Sequence, residues 1–459
     1  MGSSRSALLA SVLGTVLVAG CASTVGGTAQ PNVAAIGALS QTSTSSSQTP
    51  TSPTTVSSPS SGAQSSVEQS ATATESATPV TTPSTTVSEP TTESSESAST
   101  AAQSSENPGS SVYPTTPLKY NKTASTKESA NLLEARRIAG YLVVPTFIDA
   151  SYTKGGNLST LAYKSARSMS NLFPAPMASV AQRAGMLTGF SSARSDSGKN
   201  GFVVAAFEFG SAAQAKAAVP AFVAAAANKE NDTGKAVVPG FPAAAGWYGD
   251  YDGASPPYFH SFLAQGRMVL YLYISGPRLN SPQQQSALAA KTFTAQTASM
   301  GKYVPTAPDK FMQLPVDPDG LLAHTLPNSS DEGSVNDGIY SAAGQLHYDT
   351  DPIGTRAVFT NAGVDMVADD RASVYRARDA NGATLVQTDF IAYTQSTDKS
   401  MQPYTLTADV KDAKCLQQPL SSFYYCVGTQ GRYAFEISAR NEADINAAMT
   451  AQIALLTGF

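Results

Sequence analysis

From Phe202 to Phe209 the chain reads Phe-Val-Val-Ala-Ala-Phe-Glu-Phe, a nearly unbroken apolar run that predicts a buried strand entered from the turn-rich segment 195–201. The strand leads to Ser211, a candidate helix cap. A similar order follows Arg378: the turn-like Asp379-Ala380-Asn381-Gly382, the run Thr384 to Tyr393, then Ser396 as the matching cap. Gln265-Gly266-Arg267 opens a strand from Met268 to Ile274, and Gln430-Gly431-Arg432 opens another from Tyr433 to Ile437. Each strand precedes a capped helix. Ser281-Pro282-Gln283-Gln284 starts one with proline at its first position, and Asn441 starts the other. In the last helix Ile445, Ala448, Met449, Ile453 and Leu456 share a face interrupted only by Gln452. This repeated order predicts an α+β fold of two similar halves, each an antiparallel sheet with helices packed on one face.

The N-terminal part is built differently. Arg5 precedes an apolar run, Ala7 to Val18, too short to cross a bilayer of about 30 Å and suited to a secretory signal. The run ends in Leu17-Val18-Ala19-Gly20-Cys21, which resembles a bacterial lipobox and predicts a signal peptide over 1–20 with acylation of Cys21. From Ala22 to Val112 there is no aromatic residue, and from Ala22 to Leu118 no Lys or Arg. Such a Ser/Thr/Pro-rich stretch buries too little apolar surface to offset its ordering entropy, so residues 21–118 are expected to form a disordered tether. Its expected span is about 50 to 60 Å, and its composition is that of an O-glycosylated stalk or of a plain spacer. Prolines at 305, 308, 315, 318 and 327 place a connector over 305–330, between a first domain at 119–304 and a second at 331–459. Six of the 34 acids and one of the 29 bases precede residue 119, which leaves 28 of each in the folded part. That balance gives no support for nucleic-acid binding.

Candidate chemistry is sparse. With Cys21 acylated, Cys415 and Cys426 remain, eleven apart around a strand-like Phe423-Tyr424-Tyr425, and a disulfide is expected of them outside the cytoplasm. No Gly-x-Ser-x-Gly elbow occurs, and Ser396-Thr397-Asp398-Lys399 lacks the companion motifs of penicillin-binding enzymes, so Ser396 reads better as a cap. His260, His324 and His347 are dispersed with no metal-ligand spacing, and no cofactor is indicated. Asp250-Tyr251-Asp252-Gly253 and Asp317-Pro318-Asp319-Gly320 lack the later ligands of a calcium loop and read as turns. The segment from Gly246 to His260 holds the single Trp among several Tyr, interleaved with Gly and Pro, where the first half is the longer. Trp247, Tyr248, Tyr251 and Tyr258 are therefore candidate ligand-binding residues on a loop; the competing reading makes them plugs of the core beneath it.

The lipobox, the tether, Leu172-Phe173-Pro174, Ala205 to Phe209 and Cys415 to Arg432 together resemble lipoproteins of mycobacteria, nocardiae and related actinobacteria that carry a two-part domain of unknown function. The resemblance implies an envelope location and a two-part architecture, and it brings no activity and no functional residue. The expected protein is a lipid-anchored module on the extracytoplasmic face of the cell membrane, binding an envelope lipid, glycan or protein without catalysis. A hydrolase or other enzyme acting on cell-envelope material is the alternative.

Overall fold

Strands and helices alternate through both halves of the chain in one order. The computed structural model describes residues 113–155, 160–196, 200–249, 257–328, 334–408 and 410–459. The expected signal peptide, Cys21, the tether up to residue 112 and Tyr251 lie outside the described residues. The first half comprises α1 (Lys127–Ala139), α2 (Pro145–Ile148), β1 (Lys154–Gly155), β2 (Leu161–Tyr163), α3 (Ala175–Arg183), β3 (Met186–Ser195), β4 (Gly201–Phe209), α4 (Ala212–Ala225), β5 (Gly234–Lys235), β6 (Ala245–Gly249), β7 (Tyr258–Gln265), β8 (Met268–Ser275) and α5 (Pro282–Met300). The second comprises β9 (Gly338–Ser341), α6 (Ala342–Gln345), α7 (Pro352–Ala362), β10 (Met366–Asp369), β11 (Ser373–Arg376), α8 (Ala380–Thr397), β12 (Gln402–Tyr404), β13 (Ala413–Gln418), β14 (Phe423–Gln430), β15 (Tyr433–Ala439) and α9 (Glu442–Leu456). Residues 305–330 contain two short 3-10 turns, Pro308–Gln313 and Leu322–His324.

The sheets run β1-β3-β4-β8-β7-β6-β5, with β2 also on β3, and β12-β13-β14-β15-β11-β10-β9, all antiparallel. Matching β3 to β10, β4 to β11 and β5–β8 to β12–β15 superimposes the two orders, with α3, α4 and α5 falling on α7, α8 and α9. The equivalence reaches single hydrogen bonds. Gly266 and Gly431 both take φ of 55° at the hairpin turn, a left-handed conformation that glycine adopts without steric cost. The arginine after each glycine folds back in the same way: Arg267 Nε donates to the Phe209 carbonyl at 2.9 Å and Arg432 Nε to the Ala377 carbonyl at 2.8 Å. Their own carbonyls accept from the Phe209 and Ala377 amides. The two halves are alike, as expected, and the fold is α+β.

One pairing expected from sequence is overturned. Thr384 to Tyr393 is not the second copy of β4; it lies inside α8, whose cap is Asp379, accepting from the Gly382 amide at 2.8 Å. The buried positions Ala383, Val386, Gln387, Phe390, Ile391 and Thr394 recur at helical spacing, which outweighs the local apolar run. Ser396 therefore sits in the last turn, its hydroxyl donating to the Tyr393 carbonyl, and caps no N-terminus. The counterpart of β4 in the second half is the short strand β11.

Helices cover both faces of each sheet where one face was expected. Along β4, Phe202, Val204 and Ala206 enter the core shared with α1 and α5, while Ala205, Phe207 and Phe209 enter the core shared with α3 and α4. In the second half Val374, Phe435 and Ile437 face α9, and Tyr375 and Ala434 face α7 and α8. This is why β4 is apolar at nearly every position: a strand covered on both faces has no solvent side to mark with polar residues. The halves are tied by Arg194 of β3, a buried side chain whose Nη2 donates to the carbonyls of Leu346 and His347 at 3.1 and 3.0 Å.

Candidate functional site

Side chains on the α3/α4 face of the first sheet do not fill all the space beneath those helices. Strand alternation sends Tyr258, His260 and Phe262 of β7, and Tyr271 and Tyr273 of β8, to this face, with His260 opposite Tyr273 and Phe262 opposite Tyr271. Above them the chain turns sharply into α3, where Pro174 cannot extend the preceding 3-10 turn and instead starts the helix, aiming Leu172, Phe173 and Met177 at the strands. A pocket of about 370 Å³ remains, lined by Leu172, Phe173, Pro174, Met177, Val203, Ala226, Asn228, Tyr258, His260, Tyr271 and Tyr273. Phe173 stands edge-on to Tyr271 with centroids 5.3 Å apart. The Tyr258, His260 and Tyr273 rings lie at shallow angles to one another, 21° for Tyr258 with His260 and 20° for Tyr258 with Tyr273.

His260 is the exceptional residue of this wall. It is 4% exposed, and neither Nδ1 nor Nε2 has a hydrogen-bond partner. Burial pushes its imidazole pKa down to about 4, so at neutral pH the ring is uncharged, with one donor and one acceptor nitrogen. Leaving such a group unpaired costs about 1 to 3 kcal/mol of desolvation, which makes it a group awaiting a partner. Tyr258 is held in place from behind, its hydroxyl donating to Asp232, whose other oxygen accepts the Asn228 amide at 2.7 Å.

The aromatic residues expected to act together are separated. Tyr258 lines the pocket, but Trp247 and Tyr248 are neighbours on β6 and so face opposite sides of the sheet. Trp247 is half-buried, donates Nε1–H to the Val223 carbonyl of α4 at 3.0 Å, and lines a second, largely apolar groove with Val219, Val223 and Phe241. Tyr248 packs against the α1/α5 core, with its ring over Gly234. These residues belong to paired strands, which corrects the expectation of an aromatic loop: β6 and β7 are in register from Ala245↔Phe262 to Gly249↔Tyr258. His260 lies in the same segment. The alternation Tyr258, His260, Phe262 was the signal that could have placed it on one face with Tyr258.

Cys415 and Cys426 lie directly opposite on β13 and β14 and form a disulfide. His324 stacks on Phe459 and His347 Nε2 contacts the Ala139 carbonyl, so the three histidines stand apart. No cluster of His, Cys, Asp and Glu able to hold a metal occurs among the described residues. Asp317 caps the turn at Leu322 and Ala323, and Asp319 pairs with Arg376 at 2.7 Å.

Glu134, Glu208, Asp349 and Glu436 are buried carboxylates among the described residues, and none lines the pocket. Glu134 accepts from the amide and hydroxyl of Thr306, both at 2.8 Å, and from Tyr303, while Glu208 pairs with Arg267 at 2.6 Å. Burial, with Glu134 nearby, raises the Glu208 pKa to about 8. In the second half Glu436 accepts from Tyr375 and Tyr425, each at 2.5 Å, and burial raises its pKa to about 7. These partners come from within the fold and secure α1, the segment after α5, and the second sheet.

No helix among the described residues is long and apolar enough to cross a membrane. No curated protein matches the chain. Among solved structures, the extracellular domain of PknH from Mycobacterium tuberculosis is similar over 37% of this chain and 97% of that one, with 14% identity and a TM-score of 0.27. Residues 121–316 match the description "Domain of unknown function (DUF7373) N-terminal" and residues 321–458 match "Domain of unknown function (DUF7373) C-terminal". With both parts present in order over well over half its length, the chain belongs to the two-part DUF7373 family.

Proposed function

We propose that this protein is a noncatalytic binding module of the extracytoplasmic face, anchored to the cell membrane by acyl chains on Cys21, which holds a small, largely apolar envelope molecule in the pocket of the first half. The observation that carries the reading is His260, buried and unpartnered in an aromatic pocket of about 370 Å³. An apolar cavity with few polar groups is the usual form of a small-molecule site. The disulfide suits an oxidising compartment, and two or three acyl chains anchor stably where one is marginal. The buried carboxylates lie outside the pocket, which leaves them no place in a reaction there.

The test is extraction of the full chain from membranes, followed by mass spectrometry of small molecules released on denaturation. A defined apolar molecule should accompany the wild type and be lost from Met177→Trp, which fills the pocket. An identical profile from both proteins would overturn the binding role. The anchor is tested separately by fatty-acid labelling, which should vanish in Cys21→Ala.

A further inference from the structure

Resting on the binding role proposed for this pocket, we infer that its ligand is an uncharged amphiphile with a single short chain or ring, whose hydroxyl, ester or amide head hydrogen-bonds His260. Three observations carry this. First, among the described residues no Lys, Arg, Asp or Glu lines the pocket, and the carboxylate behind its wall, Asp232, is engaged by the Tyr258 hydroxyl and the Asn228 amide. A carboxylate or phosphate head would enter without a counter-ion, and an ammonium would find no anion, at the large desolvation cost of an unpaired buried charge. Second, His260 lines the pocket with no partner at either nitrogen and is uncharged at neutral pH, so a neutral head that reaches those buried nitrogens meets one donor and one acceptor. Third, about 370 Å³ is near the lower end of ordinary ligand pockets, enough for one short chain or ring and too little for a lipid with two long acyl chains.

The pocket carries its own reporter. Trp247 is the only tryptophan of the chain and lies opposite His260 in the β6–β7 register, so binding is read from its fluorescence. The full chain is titrated at pH 7.5 with decanol, monodecanoylglycerol, decanoate, decyl phosphate and decyltrimethylammonium. The two neutral probes should bind at least about tenfold more tightly than the three ions, and His260→Phe should erase most of that preference, the scale of one hydrogen bond in a buried site. His260→Gln, which keeps a donor and an acceptor, should retain the preference, and thermal melts confirm that each variant is folded. Tighter binding of decanoate, decyl phosphate or the ammonium, with Met177→Trp still abolishing it, would overturn the neutral class while leaving the pocket as the binding site. An undiminished preference in folded His260→Phe would overturn the role of His260. Absence of binding by all five probes, or binding unchanged in Met177→Trp, would overturn the pocket itself and this inference with it.

Discussion

At equivalent places on their central strands the first half carries Phe207, His260 and Tyr271, and the second carries Tyr375, Tyr425 and Glu436. The positions correspond because Tyr271 and Glu436 each lie four residues beyond the arginine of the shared turn, and His260 and Tyr425 five before its glutamine. In the second half the three side chains satisfy one another, both tyrosine hydroxyls donating to the glutamate. In the first half the histidine faces a pocket and satisfies nothing. One architecture thus supports a closed polar core and an open aromatic cavity. Stability favours completing a buried polar network or omitting it, so at these equivalent positions the incomplete one marks the site where binding outweighs stability.

The disulfide sharpens the same contrast. It joins directly opposed residues of β13 and β14, whereas the equivalent pair on β6 and β7 is Gly246 and Ser261. Replacing Cys415 and Cys426 by alanine should cost about 2 to 4 kcal/mol, as expected for closing a short loop. Hydrogen exchange in β13–β14 should accelerate while β6–β7 is unchanged. Equal acceleration in both hairpins would mean that the halves unfold as one unit.

Trp247→Ala tests whether the first half's aromatic strand is structural outside the pocket. Its ring packs on α4 and its indole N–H is bonded to Val223, but the side chain is only half-buried, so the expected loss is about 2 to 3 kcal/mol, below that of a fully buried Trp. A loss under about 0.5 kcal/mol would return Trp247 to the role of an exposed recognition residue.

Acid separates His260 and Glu436 in sign. His260 has a folded pKa near 4, below its usual 6.5, so its contribution is complete above pH 6.5 and is lost as pH falls through 4. Glu436 has a folded pKa near 7, above its usual 4.5, so its contribution is complete below pH 4.5 and is lost as pH rises through 7. Between pH 7.5 and 5 the first effect should destabilise and the second stabilise, each by about 2 kcal/mol. Chemical denaturation of wild type, His260→Phe and Glu436→Gln at both values isolates the two slopes; slopes of the same sign would show that one environment is misassigned.

Much of the fold is legible in the sequence because its signals are local. The glycine turns before β8 and β15, the Ser281 and Asn441 caps, and the apolar face of α9 each depend on residues a few positions apart. Gln452, the one polar interruption in that face, is buried and bonds the Leu326 amide and the His324 carbonyl, a long-range role that its neighbours do not reveal. Over α8 the apolar composition is that of a buried strand, while the spacing of its buried positions is helical. The candidate site was less legible. Tyr258 and His260 alternate visibly on β7, but the wall opposite comes from Phe173 and Met177, which are joined to β7 only through packing of α3 across the sheet. The absence of a hydrogen-bond partner for His260 in the pocket wall is a property of three-dimensional surroundings and has no sequence signal.

The smallest expected effect is also the most discriminating, because equivalent substitutions should differ in sign. Tyr425→Phe removes one of the two donors to Glu436 and leaves a buried carboxylate oxygen unpaired, at a cost of about 1 to 2 kcal/mol near neutral pH. His260→Phe, at the matching position, removes two polar atoms that have no partner and puts apolar surface against Met177, Tyr258 and Tyr271. It should be neutral or stabilising by up to about 1 kcal/mol at pH 7.5 in ligand-free protein. With a bound ligand the sign should reverse, since only the wild type gains the linkage stabilisation of its hydrogen-bonded head. Paired melts of both variants, with and without decanol, measure all four quantities. A ligand-free His260→Phe that loses as much stability as Tyr425→Phe would show that the histidine is satisfied within the fold, and the contrast between an open and a closed half would not stand.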